Sequence, residues 1–275
     1  MYKRSGPSSF VFNRTINQAA TLGVTATSLL SGLTDVTDYH QTLDVILSNG
    51  SLSSVGRDEL LSGANSAAVG TSASGFEIIQ FANAVLVAPS TYRLSGLLRA
   101  QAGSGPEMVA VRSAGTNFVL LNAAVDQPIM TLAEAGQSAD WRMGPAQLDY
   151  GSTAYAAISS SGGLKSLRPL SPAYFGVQKL PIGFSFTWIR RTRDSGDSWD
   201  LAEVPMGEAN ETYQLQIMRN GAVQRTVTTT SPNYLYAAAD AVADFGTLPT
   251  SFSARITQVS TTFGPGAVTE RTFNV

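Results

Sequence analysis

The sequence contains no cysteine and a single histidine, His40. A disulfide framework, a thiolate metal site and an imidazole cluster for zinc or iron are therefore excluded. Only 14% of the 275 residues are charged, and the net charge of -2 leaves no excess of positive charge to hold a phosphate backbone. We expect no nucleic-acid partner, and nothing in the composition calls for a cofactor.

Long apolar runs are also missing. No stretch of about eighteen apolar residues occurs, so the sequence predicts no membrane-spanning helix. The first residues include Lys3 and Arg4, but serines, Gly6 and Pro7 follow where a secretory signal needs a continuous apolar segment. We expect a soluble protein that is made in the cytoplasm.

Short runs of alternating apolar and polar residues, separated by Gly, Asn, Ser or Pro, dominate the chain. This pattern is typical of half-buried strands and predicts an all-β fold. Strands are expected at 43–47, 76–81, 84–87, 92–98, 107–112 and 118–122, with more β structure from Asp140 onward. One short helix is predicted at about Arg57 to Ser62, where it ends at Gly63 and covers the end of a barrel or sandwich.

The length suggests two domains, and the composition changes near Pro169 and Pro172. We place an N-terminal β domain at residues 1–166 and a second domain at 167–275. In the second domain apolar residues alternate on three strands around Phe186, Leu215 and Ala254, a closing strand follows at 267–275, and a helical turn is expected at 236–245, before Gly246. This pattern predicts a fibronectin type III-like β-sandwich.

The stretch FTWIRRTRDSGDSWD, residues 186–200, concentrates charge in a chain that has little of it. Planar guanidinium groups can form paired hydrogen bonds with carboxylates or stack on an indole ring. We therefore predict a structural network that fixes a long loop. Its members are Arg190, Arg191, Arg193, Asp197, Trp199 and Glu203.

Other interpretations of the same stretch are weaker. Residues Gly196 to Trp199 differ by one letter from the GDSL signature of a serine esterase family, but no histidine lies near Ser198 and the flanks are β. Asp194, Asp197 and Asp200 do not have the alternating spacing of a calcium loop. A solvated charged loop and a receptor contact stay open, and we predict no catalytic and no metal-binding residue.

Two longer stretches carry a family resemblance. Residues 77–104, EIIQFANAVLVAPSTYRLSGLLRAQAGS, and residues 188–217, WIRRTRDSGDSWDLAEVPMGEANETYQLQI, resemble the C-terminal region of the tail hub (the tail tip or baseplate "megatron") of gene transfer agents and related long-tailed phages of alphaproteobacteria. Residues 52–70 and the ending DFGTLPTSFSARITQVSTTFGPG resemble that family as well. One departure is Ala100, where the family usually has glycine after Leu-Leu-Arg.

The resemblance implies a virion structural protein at the tail tip or baseplate, the distal part of the hub, which contributes to host-cell attachment. Its implied partners are other tail-tip and hub proteins, two further copies in a homotrimer, and a bacterial surface receptor that is a polysaccharide or an outer-membrane protein. The implied location is the virion tail, assembled in the host cytoplasm. A glycoside-hydrolase-like barrel of longer family members has no counterpart in this sequence, so we expect no enzymatic activity.

Two alternatives belong to other functional classes. The first is a carbohydrate-binding module, which would need an aromatic platform; the candidates are Tyr150, Tyr155, Tyr174, Tyr234 and Tyr236. The second is a cell-wall hydrolase or esterase that acts on the host envelope, with Asp197 or Ser198 in its site.

Overall fold

The computed structural model describes residues 1–34, 36–194, 196, 202 and 205–275. The chain forms two compact units, Met1–Ser161 and Gly162–Val275. The boundary predicted from the prolines, between residues 166 and 167, falls in a 3₁₀ helix near the start of the second unit, Lys165–Leu167.

The first unit is built almost entirely from antiparallel strands. It contains β1 (Tyr2–Ser5), β2 (Val11–Phe12), β3 (Leu22–Thr25), β4 (Leu29–Leu30), β5 (Leu43–Leu47), α1 (Arg57–Leu61), β6 (Ser66–Thr71), β7 (Gly75–Ala88), β8 (Thr91–Gln101), β9 (Val111–Arg112), β10 (Asn117–Leu120), β11 (Ser138–Met143) and β12 (Ala156–Ser161), with 3₁₀ helices at Gly105–Glu107 and Leu132–Glu134.

Six of these strands close into a barrel in the order β10-β3-β5-β8-β7-β6. Alternate residues of each strand point inward, and Val45, Ile79, Phe81, Leu94 and Phe118 are completely buried there. Because the barrel is closed, each of its six strands has a neighbour on both sides.

The predicted short helix is α1, one residue shorter than expected. Leu60 is buried on the barrel side, and α1 packs against β7. The Gln80 side-chain amide, on β7, donates hydrogen bonds to the carbonyls of Leu60 (2.7 Å) and Ala64 (2.8 Å), which satisfies backbone groups at the helix end.

A smaller sheet in the first unit has the strand order β12-β11-β1-β2. Tyr2 pairs with Phe12 on one side and with Arg142 on the other. The pairing of β1 with β11 joins residues at the start of the chain to residues about 140 positions later, a long-range contact that local sequence patterns do not encode.

The second unit contains β13 (Ala173–Leu180), β14 (Gly183–Ile189), β15 (Tyr213–Arg219), β16 (Ala222–Thr229), β17 (Asn233–Ala237), α2 (Ala238–Phe245), β18 (Ser251–Ser260) and β19 (Gly264–Asn274). One sheet has the order β13-β14-β17 and the other β16-β15-β18-β19. The chain alternates between three-stranded and four-stranded sheets, which is the arrangement of a fibronectin type III-like sandwich.

The predicted core faces of the sandwich are confirmed. Phe184, Phe186 and Trp188 are buried on β14, and the alternate residues of β15 and β18 that point the same way are buried too. The helical turn is α2, which ends at Gly246 in a left-handed conformation (φ +81°).

Two predicted elements differ from the structure. Residues 76–81 and 84–87 belong to one continuous strand, β7, because Asn83 pairs with Ser95 in the ladder and does not form a turn. Residues 107–112 were expected to form one strand, but Gly105–Glu107 is a 3₁₀ helix with Pro106 in its first turn, and only Val111–Arg112 forms a strand.

Candidate functional site

The arginine stretch leaves the sandwich at the end of β14. Arg190 lies directly after Ile189, and its Nη1 is 3.6 Å from Oε2 of Glu211. The other carboxylate oxygen of Glu211 accepts a hydrogen bond of 2.7 Å from the Tyr213 hydroxyl, on β15. Arg190 and Glu211 thus bring together the two ends of the long connection between β14 and β15.

Tyr213 belongs to the sandwich core. Its ring is fully buried and lies edge-on to the Trp188 ring, with centroids 5.2 Å apart. Burial raises the pKa of Tyr213 well above its usual value, and the hydrogen bond to Glu211 raises that pKa further. The hydroxyl therefore keeps its proton and donates it to Glu211 in the hydrogen bond.

Arg193 contacts one carboxylate and two backbone carbonyls. Its Nη2 lies 3.0 Å from Oε1 of Glu208 and 3.2 Å from the carbonyl oxygen of Gly207, while Nη1 donates to the carbonyl of Leu167 at 3.0 Å. The Glu208 side chain is only 7% exposed. One guanidinium therefore holds together three segments: the chain before β13, the chain after β14 and the chain before β15.

Of the remaining members of the predicted network, the structure describes only Arg191. Arg191 is exposed and makes no hydrogen bond or ion pair within the part of the chain that the structure describes. Asp197, Trp199 and Glu203 lie outside the described residues, as do Ser198 and Asp200, so their pairing and the esterase alternative stay predictions. Within the described residues, the acids that pair with Arg190 and Arg193 lie later in the sequence, at Glu211 and Glu208.

A second polar cluster is buried in the barrel. Arg99 on β8 and Glu77 on β7 have side chains that are each 1% exposed, and Nε and Nη2 of the arginine reach the two carboxylate oxygens at 2.8 and 2.9 Å. The third nitrogen, Nη1, donates to the carbonyl of Leu30 at 2.6 Å, and the amide of Ala100 donates to Glu77 at 3.2 Å. This fully satisfied pair has no solvent access, so its role is structural.

Ala100, next to this pair, has a left-handed backbone conformation with φ +53°. Non-glycine residues pay about 1–2 kcal/mol for that conformation. A glycine at this position would adopt the same conformation without that strain.

An aromatic cluster lies on the small sheet. Tyr2 contacts Phe12 at 5.8 Å between centroids, Tyr150 at 5.1 Å and Tyr155 at 6.1 Å. Two of the five tyrosines proposed as an aromatic platform are therefore brought together here. Tyr2 and Phe12, which the sequence analysis did not propose as platform residues, are cross-strand neighbours in the β1–β2 pair.

The other three tyrosines do not join this cluster. Tyr236 is fully buried in the sandwich, where its hydroxyl donates to Asp244 at 2.6 Å, and Tyr234 is partly buried beside the same core. Tyr174 is 83% exposed at a bulge of β13.

A cavity of about 460 Å³ opens beside the cluster; we call it the β1–β2 cleft. Its lining includes Tyr2, Phe12, Thr15, Asn17, Gln147 and Tyr155. The Tyr155 hydroxyl donates to the carbonyls of Pro145 (2.8 Å) and Leu148 (3.2 Å), which fixes the loop after β11 as one wall. The volume is in the range of small-ligand sites.

Within the described ranges, no group of three or more His, Asp or Glu side chains is arranged to hold a metal ion. In the same part of the chain, no helix has the length and apolar character needed to cross a membrane.

Residues 20–119 match one family model. Its description is "Rcc01698-like, C-terminal". The matched segment begins two residues before β3 and ends in β10, so it spans the six strands of the barrel. No curated protein sequence matches the chain.

Two solved structures show distant similarity. The extracellular domains d3-d4 of rat CD45 share 8% identity over 56% of this chain and 72% of that chain, with a TM-score of 0.29. The glycoside hydrolase domain of Endo-D from Streptococcus pneumoniae R6 shares 11% identity over 99% of this chain and 37% of that chain, with a TM-score of 0.23. Similarity at these TM-scores carries no information on function.

Proposed function

We propose that this protein is a virion structural protein of a phage or phage-like particle, located in the tail tip or baseplate as the distal part of the tail hub. In this proposal it assembles in the host cytoplasm as a homotrimer with other tip and hub proteins. It contributes to attachment to a polysaccharide or outer-membrane protein of the bacterial surface. The chemistry of such a protein is binding, and no residue is assigned a catalytic role.

The outer wall of the barrel carries the proposal. On β3 the small and polar residues Gly23 and Thr25 point inward, whereas Leu22 and Val24 are 43% and 38% exposed. Ile46 pairs with Val24 on the neighbouring strand β5 and is 44% exposed. We call Leu22, Val24 and Ile46 the barrel wall patch.

This pattern reverses the usual arrangement, in which the larger apolar residues of a strand face the core. Adjacent exposed apolar residues are a feature of surfaces that become covered in an assembly. The barrel wall patch also lies inside the segment that matches the family model. Both observations support the proposal that this protein functions as a component of a larger particle.

The proposed homotrimer would suit the attachment role. A trimer presents each surface three times, and a weak contact between one subunit and a host polysaccharide is strengthened by avidity when all copies reach the surface together. Surface loops of a rigid β scaffold are the usual place for such contacts.

A complementation experiment tests the proposal. Host cells that lack the gene receive tagged wild type, Val24→Lys or Val223→Lys, and the particles are purified on density gradients and probed for the tag. Val223 lies on β16 and is 42% exposed, so the two variants place the same charge at apolar residues of similar exposure.

We expect wild type and Val223→Lys to be incorporated into particles, with gold label at the far end of the tail. Val24→Lys should fold, as shown by an unchanged melting curve, but be incorporated poorly because a buried contact excludes an unpaired ammonium group. Wild-type protein that never associates with particles, or that labels the head, would refute the proposal.

A further inference from the structure

The side chains that line the β1–β2 cleft are uncharged. None of the lining residues in the described part of the chain is an Asp, Glu, Lys, Arg or His. A charged ligand would find no charged side chain as a counter-ion in this lining. Met1 also lines the cleft, and its ammonium group already donates a hydrogen bond to the carbonyl of Arg14 at 2.9 Å. The lining side chains therefore favour a neutral ligand.

The lining also contains hydrogen-bonding groups without partners. The side-chain amides of Asn17 and Gln147 are exposed and make no hydrogen bond within the described part of the chain, and the Thr15 hydroxyl is likewise available. Each amide offers two donors and an acceptor, which suits a ligand with several hydroxyl groups. An entirely hydrocarbon ligand would leave these groups unsatisfied.

Aromatic rings form the apolar part of the same cleft. Tyr2 and Phe12 meet edge to face at an interplanar angle of 78°, so the cluster presents ring faces in more than one direction. The negative face of an aromatic ring attracts the C–H groups on the face of a sugar ring, which carry partial positive charge. Ring faces beside uncharged amides are the combination that a pyranose requires.

The cleft is preformed by local packing. Gly144 follows β11, and a Cβ at this position would lie 2.5 Å from a ring carbon of Tyr155. The absence of a side chain at Gly144 lets the Tyr155 ring lie against the backbone, where its hydroxyl holds the loop of residues 145–148. A preformed cleft loses little conformational entropy on binding.

We propose that the β1–β2 cleft binds a neutral saccharide of one or two rings, with Phe12 and Tyr2 contacting the sugar face and Asn17 and Gln147 hydrogen-bonded to its hydroxyl groups. The assignment deepens the proposed attachment role by naming the ligand class and the surface that binds it. It can hold or fail independently of particle location, because purified protein suffices to measure it.

Ligand-observed saturation-transfer NMR and calorimetry with purified full-length protein test the site. The neutral probes are maltose, cellobiose, lactose and mannobiose, and the charged probes are glucuronic acid and sialyllactose. Phe12→Ala and Gln147→Ala remove one ring and one amide. Val11→Ala is the matched control, because Val11 is the adjacent residue of β2, is 65% exposed and does not line the cleft.

At least one neutral probe should bind, more tightly than either charged probe. Phe12→Ala should weaken that binding by about tenfold or more and Gln147→Ala by a few fold, while Val11→Ala leaves it unchanged. Gly144→Ala should weaken binding as well by displacing Tyr155.

No binding of any neutral probe at millimolar concentration would overturn the proposal, as would binding that Phe12→Ala and Gln147→Ala leave at the wild-type level. Saccharide binding without particle association would retain this site and reject the tail-tip role. Particle association without saccharide binding would do the reverse.

Discussion

Replacing Arg99 with methionine leaves the Glu77 carboxylate buried in the barrel without its counter-ion. Both side chains are 1% exposed in the folded protein, so solvent cannot replace the lost partner. The variant also leaves the Leu30 carbonyl without the hydrogen bond that Nη1 donates.

Breaking a buried pair by removing one partner costs about 3–5 kcal/mol. For a unit of this size, each kcal/mol lowers the melting temperature by about 2–4 °C, so the first unit should melt roughly 6–20 °C lower. The double variant Glu77→Leu/Arg99→Met removes both charges. We expect it to be less destabilised than the sum of the single variants, with a coupling energy of about 2–3 kcal/mol.

Arg93 and Asp44 provide the matched control. They form a paired contact of the same type, with both nitrogen–oxygen distances 2.8 Å, but the Arg93 side chain is 53% exposed. Arg93→Met should therefore be much less destabilising than Arg99→Met, because solvent screens an exposed pair. Urea unfolding of all variants gives the comparison; equal losses for Arg99→Met and Arg93→Met would refute the argument that burial sets the cost.

Three further predictions have defined outcomes. Ala100→Gly should raise the free energy of unfolding by about 1 kcal/mol, because glycine adopts φ +53° without strain; a destabilised variant would contradict this explanation. Arg193→Ala should lower the free energy of unfolding of the second unit by about 1 kcal/mol, while Arg191→Ala, which loses no contact within the described residues, should match wild type in the same urea titration. The hydrogen bond from Lys3 holds the pKa of Glu134 at about 2, below its ordinary 4.5, so this stabilisation is complete above about pH 4.5 and is lost as the pH falls toward 2. Melting curves across that range should show a weaker pH dependence in Glu134→Gln, and identical curves would exclude the contribution.

The sandwich was largely predictable from sequence, because its strands alternate with period two and its helix ends at a glycine. Phe184, Phe186 and Trp188 share a buried face that the alternation alone identifies. The same pattern separates the inward residues of β5 from the outward ones.

The barrel wall was not predictable in the same way. Leu22 and Val24 alternate with Gly23 and Thr25, and local alternation alone would place the larger residues in the core. Which face is buried depends on strands that lie far away in the sequence, so only the closed barrel shows that the apolar side points outward.

The contacts of Arg190 and Arg193 and the β1–β2 cleft also depend on residues that lie far apart in the sequence. The sequence identified Arg190 and Arg193 but not Glu208 and Glu211, which become partners because the chain returns to β15 beside the end of β14. Tyr150 was identified as a candidate ring. Tyr2 was not identified, since only the pairing of β1 with β11 brings it near Tyr150.

A cryo-electron microscopy reconstruction of purified particles tests the tail-tip assignment most directly. The account predicts three copies of the chain around the axis at the far end of the tail, with Leu22, Val24 and Ile46 covered by a neighbouring subunit. Density for the chain on the head, or its absence from the particle, would contradict it.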